Sequence, residues 1–195
     1  MGKGRLEAFT DGVVAIIITI MVLELKLPEG HDVPGMLAAA PSFFVYALSF
    51  LNVGIFWNNH HHMLQATREV NGRVLWANLL LLFWLSLVPF VIRWIGEAGI
   101  LPLPIAGYGF VLAMSAICYY WLERTIIAVN RHNGFLADAI GREWKGLLSL
   151  GIYVAGMALA FVSPWIALAL YSGNALMWFA PDKRIERAGR VQRPN

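Results

Sequence analysis

A chain of 195 residues that is 58% hydrophobic, with a mean hydropathy of +0.61, is too apolar for an ordinary soluble domain, whose apolar share lies nearer about 45–50%. Charged residues make up only 14%, and the net charge of +3 is distributed along the chain without a basic groove, so nucleic acid is not an expected partner. The single cysteine, Cys118 in an apolar segment, excludes an intrachain disulfide and leaves the redox compartment open.

A membrane-spanning helix needs roughly 20 mainly apolar residues, and six such segments occur, which predicts an all-α polytopic membrane protein. The first runs from about Glu7 to Leu27 and stops at Pro28-Glu29-Gly30. Glu7 and Asp11 interrupt its N-terminal flank and no small-x-small site precedes Pro28, so it is expected to be retained rather than cleaved. The second spans about Gly35 to Asn59, the third Val74 to Trp94 with a kink at Pro89, and the fourth Pro104 to Leu122. A polar connection, Glu123 to Lys145, leads to two shorter segments, Gly146 to Phe161 and Trp165 to Phe179, separated by Ser163-Pro164 and ended by Pro181. The division is one six-helix domain over 1–181 and a basic tail over 182–195.

The basic residues support this count. Lys3, Arg5, Arg68, Arg73, Arg124, Arg131, Arg142, Lys145, Lys183, Arg184, Arg187, Arg190 and Arg193 fall on one side of such a bundle, and only Lys26 and Arg93 on the other. That bias predicts a multi-pass protein of the cell membrane with both termini in the cytoplasm. The tail has the chemistry to meet anionic lipid, although the same bias already accounts for its charge.

On a helical wheel at about 100° per residue, Ile16, Ile20, Leu23 and Leu27 form one narrow apolar stripe of the first helix. Asp11 points away from it, Ile17 stands about 100° round, and Glu24 lies about 80° from Ile16 near the other end. A stripe alone says little, because a membrane helix is apolar on every face. Glu24 either concentrates cations at a mouth or sits among headgroups.

Arg5-Leu6-Glu7-Ala8-Phe9-Thr10-Asp11-Gly12, opening this helix, resembles the Arg-x-x-x-Phe-Ser-Asp-Gly signature of the endolysosomal potassium channel family (transmembrane protein 175 type) and its bacterial relatives. Thr10 replaces the usual serine and keeps its hydroxyl. Phe56-Trp57-Asn58-Asn59-His60-His61 and Leu85-Ser86-Leu87-Val88-Pro89-Phe90 extend the resemblance in the same order. It implies that the first helix lines a central pore. Ile16, Ile20 and Leu23 would form the constriction, with Thr19, Glu24 and Leu27 flanking it. It also implies a polar network of Arg5, Phe9, Thr10, Asp11, Trp57 and His60 or His61 that holds this helix. A single six-helix unit further implies a homotetramer permeable to K+, with no cofactor. A ring of isoleucines has no oxygen to replace an ion's hydration shell, so it would act by excluding water and by its width, with modest selectivity.

Other motifs weigh against alternative functions. Gly107-Tyr108-Gly109 lacks the Thr-Val that precedes it in the usual potassium filter and opens a spanning segment, so it reads as interfacial packing. His60-His61-His62 suggests a membrane enzyme or redox subunit using a cytoplasmic edge, but successive helical residues diverge by about 100° and cannot converge on one metal. The expected setting is a solvated helix end. A proton-coupled transporter would need an acid near mid-membrane, and none of the six segments has one. Asn52, Asn78 and Ser86 are expected to hydrogen-bond neighbouring helices. Gly151 with Ala155 and Gly156 with Ala160 have the spacing of close helix packing, within a subunit or between subunits.

Overall fold

The computed structural model describes residues 2–26, 28, 30–130 and 144–179. These form helices α1 (Lys3–Leu23), α2 (Val33–Ala66), α3 (Gly72–Ser86), α4 (Val88–Ala98), α5 (Pro102–Val129), α6 (Trp144–Leu159) and α7 (Pro164–Phe179), with no strand among the described residues. α3 and α4 are the two halves of one apolar stretch, Gly72–Ala98, so the described residues hold six helical segments in the order expected. α1, α2, α3–α4 and α5 are long and apolar enough to cross a membrane, whereas α6 and α7 are 16-residue helices.

Local chemistry sets these boundaries. Asp32 caps α2 by accepting from the Gly35 amide at 3.0 Å, and Asn71 caps α3 by accepting from Arg73 and Val74. The third span breaks at Leu87 because Pro89 has no N–H for the Leu85 carbonyl and its ring crowds that carbonyl. Gly99 ends α4 at φ +85°, where a side chain would be strained.

Three boundaries differ from the sequence expectation. α1 begins at Lys3 and stops at Leu23, which makes Glu24 its C-cap. α2 continues through the histidines to Ala66, so His60–His62 lie inside a helix rather than at its solvated end. α5 runs on to Val129, because Leu122, Glu123 and Ile126 keep the same face buried. Leu27 and the 182–195 tail lie outside the described residues.

α5 is the centre of the packing, touching α3, α4, α6 and α7, while α1 lies across α2, α3 and α4. The α6–α7 hairpin is seated by Tyr171, whose ring occupies the space that side chains on Gly109 and Gly156 would fill. Gly156 and Ala160 thus pack within the chain, whereas Gly151 and Ala155 remain exposed. A buried polar chain ties the hairpin to the bundle. Asn174 Nδ2 donates to the Tyr153 hydroxyl at 2.8 Å, Tyr153 to Asn52 Oδ1 at 3.5 Å, and Asn52 Nδ2 to the Tyr108 hydroxyl at 3.3 Å. The Tyr108 and Ser49 hydroxyls share a further bond at 3.1 Å. Asn52 therefore links helices, as expected of a polar group at that depth. Ser86 does not; its hydroxyl turns back on the Phe83 carbonyl at 2.7 Å.

Candidate functional site

α1 has two faces of different character. Leu6, Thr10, Val14, Ile17 and Met21 recur every three or four residues and are buried against the rest of the chain. On the opposite side Ile16 is 58% exposed, Leu23 79%, and Ile20 is exposed as well. The Thr19 hydroxyl is turned onto its own helix, donating towards the Ala15 and Ile16 carbonyls at 3.0 and 2.9 Å. Beside the stripe an apolar groove of about 290 Å³ opens between α1 and the α3–α4 break, lined by Val13, Ile16, Ile17, Ile20, Ser86 and Pro89.

The N-terminal half of α1 is fastened by polar contacts to α2 and α3. Asn78 Nδ2 donates to Thr10 Oγ1 at 2.9 Å, and His60 Nε2 lies 2.7 Å from Asn78 Oδ1. Because the Asn78 oxygen can only accept, the His60 proton sits on Nε2. All three side chains are buried. Asp11 Oδ1 accepts from Trp57 Nε1 at 2.8 Å, and Trp57 stacks on His61 with centroids 5.8 Å apart. His61 Nδ1 approaches Glu7 Oε1 at 3.1 Å, an ion-pair distance without hydrogen-bond alignment, while the Gln65 amide donates to His61 Nε2 at 2.8 Å. Lys3 Nζ adds a bond to the Gln65 carbonyl at 2.9 Å.

Both candidate histidines therefore meet α1 or its partners, through different atoms. Arg5 and Phe9 do not join this cluster within one chain. Both are exposed on the side of the isoleucine stripe; among the described residues the Arg5 side chain has no ion pair and the Phe9 ring meets no other ring. They sit eleven and seven residues before Ile16, on the face that leaves the bundle rather than the one that enters it. Asn78, the residue that bridges α1 and α2, was absent from the expected network, and its only sequence signal is a polar group within an apolar segment.

At the other end of α1, Glu24 faces α4. Arg93 of α4 brings Nε to 3.8 Å from Glu24 Oε2 and 3.0 Å from Glu97 Oε1. Arg93 and Glu97 are spaced i,i+4, a pairing legible in sequence; the contact with Glu24 needs the fold. Gly107-Tyr108-Gly109 lies within α5 with Tyr108 fully buried.

Comparison with known proteins bears on this arrangement. A potassium channel of Chryseobacterium sp. (strain P1-3) is 52% identical over 188 residues, covering 96% of this chain and 98% of its own. Residues 5–89 match the family model of the endosomal/lysosomal potassium channel TMEM175. The chain belongs to the TMEM175 family. A potassium channel of Streptomyces collinus (strain DSM 40733 / Tue 365) is 34% identical over 189 residues and aligns over 90% of this chain and 91% of its own. The crystal structure of a lysosomal potassium-selective channel TMEM175 homolog from Chamaesiphon minutus superposes with a TM-score of 0.79 at 29% identity, over 91% of this chain and 96% of that one. The matched segment holds α1, α2, α3 and the start of α4, so it contains the stripe, the polar anchor and the proline break. Membership of TMEM175 places the chain among multi-pass membrane channels rather than enzymes, and the enzyme alternative for the histidine edge falls away.

Proposed function

We propose that this chain forms a potassium-permeable cation channel of the cell membrane, assembled as a homotetramer with α1 innermost. The observation that carries this reading is the exposed apolar stripe of α1. A helix packed on three neighbours through one face would be expected to turn its other face to lipid or to a partner, and Ile16, Ile20 and Leu23 line that face beside the proline break. Four copies around an axis would make Ile16 the narrowest ring, with Ile20 and Leu23 beyond it and Thr19, Glu24 and Leu27 as flanks. Such a ring passes ions by widening and wetting rather than by coordinating them, so selectivity for K+ would be moderate and no Thr-Val-Gly-Tyr-Gly filter is needed.

In this reading Thr10, Asp11, Trp57, His60 and His61, with Asn78, hold α1 at a fixed angle and depth. Arg5 and Phe9 act on the axial or intersubunit side. Residues 1–181 are the channel domain, both termini are cytoplasmic, and the basic tail meets anionic lipid. Liposomes carrying the purified protein test the central point: a K+ gradient should drive dissipating flux, with Na+ passing less readily. Gradients held as in empty liposomes would refute the channel. Topology is tested separately by cysteine labelling from outside, which should reach a Cys at Glu97 and miss one at Gln192.

A further inference from the structure

The end of α1 remote from the anchor carries a charge arrangement that the pore reading does not use. Glu24 follows Leu23, the most exposed of the stripe's described residues, and so stands at that mouth of any pathway along α1. Its carboxylate is turned partly inward, towards α4, where the Arg93 guanidinium lies between it and Glu97. One cation is thus shared by two carboxylates from two helices. Arg93 is 61% exposed and Glu97 is also open to water, and ion pairs of that kind add little to stability. The charge of Arg93 is therefore better placed to shape the local field than to hold the helices together. Lys26, exposed two residues after Glu24, is the other cation near this end among the described residues.

We propose that Arg93 acts as a charge brake at this mouth. By offsetting one of the two carboxylate charges of Glu24 and Glu97 it limits how strongly permeant cations are concentrated there, and so sets the conductance at low ionic strength. The inference rests on α1 lining the pore. Without Arg93, a fourfold assembly would present a ring of Glu24 and Glu97 carboxylates, and an acidic rim on a narrow mouth raises the local cation concentration. Salt removes such an effect, because the screening length falls from about 30 Å at 0.01 M to about 3 Å at 1 M.

The test is K+ conductance of the reconstituted full chain at about 10 mM and about 1 M salt. Arg93→Gln is expected to raise the low-salt conductance about two- to fivefold and to match the unaltered protein at high salt. Arg93→Lys keeps the charge and loses the fork, and should behave as the unaltered protein. Adding Glu24→Gln to Arg93→Gln should lower the low-salt conductance again. A structural tie would give the opposite pattern, with Lys and Gln variants altered alike and equally at both salt concentrations, and that result overturns the brake. Ile16→Ala in the same series separates the two claims. If it alters conductance while Arg93→Gln does not, the brake fails and the pore stands; if neither does, the pore reading fails and takes the brake with it.

Discussion

Ile16 and Ile17 are the same residue side by side, yet one is 58% exposed and the other 3%. The difference comes entirely from what each face of α1 meets. Ile17 shares its face with Val14 and Met21 and rests on the chain's own helices, so its contribution is packing energy. Ile16 is largely free of contacts within the chain, and its role in the proposed tetramer depends on what four such faces would enclose. An apolar residue type on a membrane helix therefore does not distinguish core from pathway. Its angular position relative to the polar anchor tells the buried face from the exposed one.

The variants that break this contrast comprise two with large expected stability effects and two with small ones. Ile17→Ala leaves a cavity among packed helices and should cost about 2–5 kcal/mol. Thermal unfolding in detergent should fall markedly, while flux per surviving channel stays near that of the unaltered protein. Asn78→Ala orphans the buried His60 and Thr10 together, at about 1–3 kcal/mol for each group left unsatisfied. It should weaken assembly and leave K+ over Na+ preference unchanged; a changed preference with unchanged thermal stability would contradict the anchoring role. Asp11→Ala removes one bond to a partly exposed Trp57 and should cost less, about 0.5–1.5 kcal/mol. Thr10→Ser keeps the hydroxyl that receives Asn78, and calorimetry should find it the mildest of the four.

Much of the fold was legible because membrane helices announce themselves by length, and loop charge restricts their number. The angular separation of Ile16 from Asp11 and Ile17 also follows from helix period alone, and the break at Pro89 from the N–H that proline lacks. What stayed hidden depended on neighbours. The extension of α2 past Asn59 brings His60 to Asn78 and His61 to Gln65, hydrogen bonds that satisfy polar side chains within the bundle. Arg93 looked like a stray cation on the sparsely charged side until α4 placed it against Glu24. Ser86 shows the reverse case, a polar group assigned to a neighbour that is satisfied by its own helix. Arg5 and Phe9 belong to the same motif as Thr10 and Asp11, yet helix geometry sends them to the other face.

The most direct test sets the two isoleucines against each other in one flux assay, with channel number normalised by assembled protein. Ile16→Ala removes three carbons from each copy of the proposed ring, widening it and lowering the barrier to wetting. K+ flux per channel should rise, or a leak appear, and preference over Na+ should fall. Ile16→Asn should do the same while keeping four side-chain heavy atoms, and Ile17→Ala should leave both quantities unchanged. Equal changes at positions 16 and 17, or none at either, would take α1 out of the pathway.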